Sequence, residues 1–182
     1  MNYTKEKSEL LLMQQIYSSF MSIAKKIDKQ GDKSFKGLTA KQYMVILAVR
    51  LSSHDGTTMV NIAKKLGTTK QNINRLIPML EKKGYVVKSI CESNKRAVNI
   101  KITDSGLKAM LEYAGIGISF MTDVLNGFTK SEMEALWSLL QKLCYSEKID
   151  YSQFLSEANK LYESEYSELL TKILEKYKED QP

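Results

Sequence analysis

Hydrophobic positions recur at helical spacing over most of this chain. In residues 5–29, Leu12, Ile16, Phe20, Ile23 and Ile27 fall three or four apart, which predicts a long amphipathic helix. A polar break with two glycines, residues 31–37, ends it. Thr39 is placed to N-cap a second helix, with Gln42 three residues on as in a capping box, and Tyr43, Ile46, Leu47 and Arg50 carry that helix forward. Residues 52–58 read as a polar loop around Asp55-Gly56. Residues 59–66 are a short apolar-periodic segment (Val60, Ile62, Ala63, Leu66) that Gly67 stops. Thr68 or Thr69 caps the next helix, which is predicted to run to about Lys83 with Gly84 just past its end. Pro78 inside this helix removes an N–H and should bend or loosen its turn.

The period then changes to two. Residues 85–91 and 97–103 are β-rich, and Val98, Ile100 and Ile102 alternate onto one face of the second run. The polar residues 92–96 between them make a hairpin with a basic tip. Helical spacing returns at Thr103 or Asp104 and continues to about Leu125 through Leu107, Met110, Leu111, Ala114, Ile118 and Met121. Gly115 and Gly117 inside this helix weaken it by roughly 1 kcal/mol each. Asn126-Gly127 breaks the pattern, and Thr129 caps a helix through Tyr145 with Met133, Leu136, Trp137, Leu140 and Leu143 inward. Residues 151–177 form a last amphipathic stretch, whose stripe is Phe154, Leu155, Ala158, Tyr162, Tyr166, Leu169, Ile173 and Tyr177. Two short helices joined by a tight glycine turn and followed at once by a hairpin make a winged helix-turn-helix. The predicted fold is therefore mostly α with a small β-hairpin wing.

Charge sharpens this picture. The formal net charge is +6, but residues 59–103 hold ten Lys or Arg against two Glu, a local net of +8, while residues 150–182 hold four Lys against eight Asp or Glu, a local net of −4. A positive segment of this kind attracts phosphate backbones through counterion release, though by itself it is also what an ordinary solvated basic surface looks like. The balance of 43% hydrophobic and 26% charged residues is that of a soluble globular protein. No apolar run near the N-terminus reads as a signal peptide or a membrane span. Cys91 and Cys144 lie far apart, which suits reduced cytosol rather than a disulfide framework, and a cytoplasmic protein is expected. His54 is the only histidine and sits in a polar loop, so no ligand set for a metal is spaced together. Cys144, on an apolar-periodic helix, reads as packing rather than as a redox sensor. No phosphate loop or nucleophile motif stands out, and neither an enzyme nor a cofactor is expected.

The helix after Gly67 is where the residue types converge. Ala63 is small where the second helix of the motif must cross the first, and Gly67 supplies a turn residue tolerant of positive φ. Ile73, Leu76, Ile77 and Leu80 are inward anchors. That leaves Lys70, Gln71, Asn74 and Arg75 on the outward arc, where Arg can read guanine and Asn or Gln adenine. Thr68 and Thr69, at the start of the helix, lie beside free N–H groups suited to a phosphate. Lys88 and the hairpin residues Asn94, Lys95 and Arg96 complete the expected DNA-binding set. A wet helix face would account for any one of these residues; the whole set in this order favours DNA.

Residues 38–106 resemble the MarR family of transcriptional regulators. The stretch Leu38-Thr39…Gln42-Tyr43…Ile46-Leu47 resembles that family's second helix, and Ile62-Ala63-Lys64-Lys65-Leu66-Gly67-Thr68-Thr69-Lys70-Gln71-Asn72-Ile73-Asn74-Arg75-Leu76-Ile77 its reading motif. Leu80-Glu81-Lys82-Lys83-Gly84-Tyr85-Val86 resembles the helix exit into the wing, and Ile102-Thr103-Asp104-Ser105-Gly106 the exit from it. The likeness extends through the flanking helices to roughly residues 5–146. The family's wing usually carries Asp-x-Arg; here Asn94-Lys95-Arg96 keeps the arginine and replaces the carboxylate by an amide, which cannot form the ion pair. The resemblance implies a domain over residues 1–146, with a DNA-binding lobe at about 38–103 and dimerisation helices at about 5–30 and 104–146, followed by an extension over residues 147–182 that the family pattern lacks. It further implies a homodimer on a pseudo-palindromic double-stranded operator, acting as a repressor relieved by a small, often aromatic ligand, with no membrane partner. Tyr17, Phe20, Tyr43 and Tyr113 match the surfaces where such ligands bind, and each also fits plain core packing. A different class stays open, a protein-interaction or co-regulator module that uses the acidic, Tyr-rich extension as its partner surface. The extension is expected to be helical and to dock on the dimerisation helices.

Overall fold

The computed structural model describes residues 3–52, 56–91 and 94–146, with residues 156–157, 160, 167–168, 171 and 175 of the C-terminal extension. Its elements run α1 (Tyr3–Ser34), α2 (Ala40–Arg50), β1 (Thr57–Thr58), α3 (Met59–Lys65), α4 (Lys70–Lys82), β2 (Val86–Cys91), β3 (Asn94–Ile102), α5 (Asp104–Val124) and α6 (Lys130–Ser146). The described residues of the extension are helical. The mostly helical class with a small antiparallel sheet is the one read from the sequence. By compactness the chain divides into residues 1–40 and residues 41–182.

In the first unit, α1 does not stop at Gly31. It continues to Ser34, and the N–H of Phe35 reaches the carbonyl of Gly31 at 3.1 Å. A glycine inside a helix costs only about 1 kcal/mol, which flanking turns readily offset, so the expected end near residue 30 falls short by four residues. The chain breaks instead at Gly37, where φ is +84°. Along α1, Leu12, Ile16, Phe20 and Ile23 are all exposed.

In the second unit, three antiparallel strands lie in the order β1-β3-β2. Thr57 pairs with Ile100 and Thr58 with Asn99, while Val86 pairs with Ile102 and Lys88 with Ile100. The outer strand β1 occupies what reads in sequence as polar loop. Two threonines have no periodicity to announce a strand, and the free edge of β3 makes this one. Gly56, with φ at +92°, brings β1 onto that edge: a Cβ there would lie 2.7 Å from the carbonyl oxygen of Ile100. Val45, Ile46, Ile62, Ile73, Ile77, Leu80 and Ile100 are fully buried and form the core of the unit. Of the alternating face of β3, Ile100 is buried, Ile102 half-buried and Val98 exposed.

Threonine caps carry the local geometry. Thr58, Thr69 and Thr103 each accept from the N–H three residues on, at 3.3, 3.2 and 3.0 Å, which satisfies a donor that the first turn leaves free. At α6, Thr129 and Glu132 form a reciprocal box. The N–H of Thr129 donates to Oε2 of Glu132 at 2.8 Å, and the N–H of Glu132 to Oγ1 of Thr129 at 3.3 Å. These bonds from Thr129 hold the Glu132 carboxyl below the usual carboxylate range. The helix α5 passes through Gly115 without interruption, and Gly117 is buried. The face of α6 expected to point inward is largely open in the single chain: Met133, Trp137 and Leu143 are exposed, while Leu136 and Leu140 are half-buried. Among the described residues, no helix is long and apolar enough to cross a membrane.

Candidate nucleic-acid interface

The reading unit is built from α3, a turn and α4. Gly67, at φ +58°, makes the turn, and the N–H of Thr68 returns to the carbonyl of Ala63 at 2.9 Å. Ala63 is buried, which lets the two helices approach. Thr69 opens α4, and the side-chain amide of Asn72 donates to Oγ1 of Thr68 at 3.1 Å. Asn72 thus ties down both threonines, one by its backbone and one by its side chain. Its capping role is not legible in the sequence, because an asparagine in a polar stretch carries no periodic signal.

Along α4, Ile73, Ile77 and Leu80 are wholly buried at spacings of four and three. This buries one stripe and leaves Lys70, Gln71, Asn74 and Arg75 exposed together, with Thr69 exposed and Thr68 half-buried at the helix start. Leu76, expected inward, is half-buried. Pro78 is exposed and the helix continues past it to Lys82. Gly84, at φ +71°, ends the helix, and the N–H of Tyr85 reaches the carbonyl of Leu80 at 3.0 Å. One turn beyond Arg75 on α4, Met79 accepts at Sδ from the buried amide of Gln42 at 3.7 Å.

The wing begins where the helix ends. Lys88 on β2 forms an ion pair with Glu81 in the last turn of α4, at 2.7 Å. Both side chains are about a third exposed, at 37% and 38%, so the pair contributes at most about 1 kcal/mol. Lys88 is thus tied to the reading helix instead of standing as a free cation. Replacing it by glutamine is expected to lower stability by less than about 1 kcal/mol in a urea titration, since the pair is solvated. Between Ile90 and Cys91 the register slips. Ile90 faces Val98 while Cys91 faces Asn94, so one step on β2 spans four on β3. Lys95 and Arg96 sit in that interruption, within a strand rather than in the loop expected at 92–96. The side chains of Asn94, Lys95 and Arg96 lie outside the described residues, as does His54.

Tyr17 and Phe20 are exposed on α1, in the first unit, and Tyr43 and Tyr113 are half-buried in the second. Burial, then the neighbouring Tyr85 and Glu112, push the Tyr113 phenol above its ordinary value. Cys144 is a free, half-buried thiol. Among the described residues no three of His, Cys, Asp or Glu gather to hold a metal.

A buried-stripe helix after a glycine turn, followed by an antiparallel wing, defines a winged helix-turn-helix protein. Residues 38–98 match the MarR family, the one whose resemblance the sequence carries. Its fold is similar to that of MepR from S. aureus, solved in complex with DNA, at 23% identity with a TM-score of 0.66, over 71% of this chain and 95% of that one. It is also similar to Sco3205, a MarR family transcriptional regulator from Streptomyces coelicolor solved in complex with DNA, at 19% identity and a TM-score of 0.68, over 73% and 86%. A third likeness is to BpsR from Bordetella bronchiseptica, whose DNA binding is regulated by 6-hydroxynicotinic acid, at 18% identity and a TM-score of 0.65, over 71% and 98%. At these identities the likenesses establish the fold.

Proposed function

We propose that this protein is a cytoplasmic homodimer that binds a pseudo-palindromic double-stranded operator and represses transcription until a small ligand releases it. The observation that carries the reading is the exposure of Lys70, Gln71, Asn74 and Arg75 together on α4, opposite the buried stripe of Ile73, Ile77 and Leu80. Four long or amide side chains on one arc, on a helix anchored this rigidly, suit the major groove. Thr68 and Thr69 at the N-terminus of α4 add phosphate contacts, Lys95 and Arg96 supply the wing's charge, and Asn94 adds an amide beside them. Homodimerisation is supported by the exposed apolar stripe of α1 and by the exposure of Trp137 and Leu143 on α6. In a dimer, the two reading helices address half-sites about 34 Å apart. Ligand relief rests on the aromatic positions Tyr17, Phe20, Tyr43 and Tyr113.

An electrophoretic shift on the DNA upstream of its own gene, against random duplex, tests the assignment. Arg75→Ala and Gln71→Ala are each expected to weaken specific binding by ~1–3 kcal/mol, while random binding changes little. Wild-type affinity for both variants would sink the interface. Failure of the unsubstituted chain to bind any duplex would favour the interaction-module reading instead.

A further inference from the structure

We propose that the acidic C-terminal extension folds back onto the chain's own winged-helix lobe, anchored by Glu157 on Lys65, and restrains DNA binding electrostatically. The restraint rests on the DNA-binding reading; the docking does not.

Lys65 lies in the last turn of α3, and its ammonium donates at 3.0 Å to the carbonyl of Leu51, just past the end of α2. That carbonyl lies at the C-terminal end of the helix, where a cation is favourably placed. The Lys65 side chain is only 12% exposed, and one carbonyl does not neutralise an ammonium withdrawn from water. Glu157 supplies the missing charge. Its carboxylate accepts from the same ammonium, 92 residues away in sequence, and is itself 26% exposed. The ion pairs of Lys88 with Glu81 and of Lys130 with Glu134 are both more open and closer in sequence. Burial makes the Lys65 pair less screened by salt than either.

The surroundings match a polar segment rather than an apolar one. Glu157 and Lys65 border an open cleft of about 260 Å³ whose wall includes Ser52, Thr57, Asn61 and Lys64. Charge on the larger scale agrees, since residues 59–103 carry a net of +8 and residues 150–182 a net of −4. An acidic segment held on a basic lobe subtracts from the field that draws in phosphates, without occupying the reading helix. The extension expected to dock on the dimerisation helices is thus tied, at Glu157, to the reading unit.

The test uses the full chain carrying Glu157→Gln, with Glu157→Asp as the variant that keeps the charge. Amide hydrogen exchange without DNA reports docking. Affinity for a random duplex of roughly 20 base pairs, between about 50 and 200 mM salt, reports restraint. Glu157→Gln is expected to speed exchange across residues 51–65 and to tighten duplex binding by about two- to fivefold at low salt, the gain fading as salt rises. Glu157→Asp, which keeps the carboxylate, is expected to hold both closer to the wild-type values than Glu157→Gln does. Unchanged exchange would overturn the docking. Faster exchange with unchanged or weaker duplex binding would overturn the restraint. If the unsubstituted chain bound no duplex, the DNA-binding reading and the restraint would fall together, and exchange would still decide the docking.

Discussion

Replacing Gly106 by alanine is expected to destabilise the protein by about 3 kcal/mol or more, although alanine is the better helix former by about 1 kcal/mol. Gly106 sits in the first turn of α5, and a Cβ there would lie 2.1 Å from the carbonyl oxygen of Tyr85 and 2.9 Å from Cγ1 of Ile102. The oxygen belongs to backbone that cannot yield cheaply. It already accepts from the N–H of Thr103 at 3.1 Å, and the Thr103 hydroxyl donates to the carbonyl of Gly84 at 2.5 Å. The end of α4, the start of β2 and the start of α5 are knotted at this point. An added methyl must push α5 off the knot, and the steric cost exceeds the gain in helix propensity. Urea denaturation of the wild-type and Gly106→Ala chains measures it. A midpoint raised by the substitution would show that the two backbones separate more easily than this packing implies.

Truncating Ile77 to alanine is expected to cost about 2–5 kcal/mol in the same measurement. Ile77 is fully buried in α4, flanked along its stripe by Ile73 and Leu80, which are buried as well. Removing its branched side chain leaves a void under the helix that presents Gln71 and Arg75. Specific DNA affinity should therefore fall further than random affinity, because base contacts need the helix held at a fixed height while phosphate contacts tolerate displacement. The contrasting substitution is Asn74→Ala, on the exposed side of the same helix, which should leave stability within about 0.5 kcal/mol. Equal losses of stability at the two positions would mean that α4 is not anchored on this stripe.

Much of this protein is decided locally. The order of elements follows from apolar spacing and from caps that lie within four residues of what they satisfy, as at Thr69 with Asn72 and Thr129 with Glu132. The turn at Gly67 and the stop at Gly84 follow from the one residue type that takes positive φ without strain. The outward arc of α4 follows from the helical repeat once Ile73, Ile77 and Leu80 point inward. What remained illegible depends on partners distant in sequence. The strand at Thr57–Thr58 exists because β3 offers an edge, the slipped register around Lys95 and Arg96 because two strands must agree, and the ion pair of Lys88 because α4 ends beside β2. The requirement for glycine at 106 comes from the Tyr85 carbonyl, and the seat of Glu157 from a lysine 92 residues earlier. Periodicity reports which face of an element is apolar; only the folded chain determines which surface that face, or a single charge, finally meets.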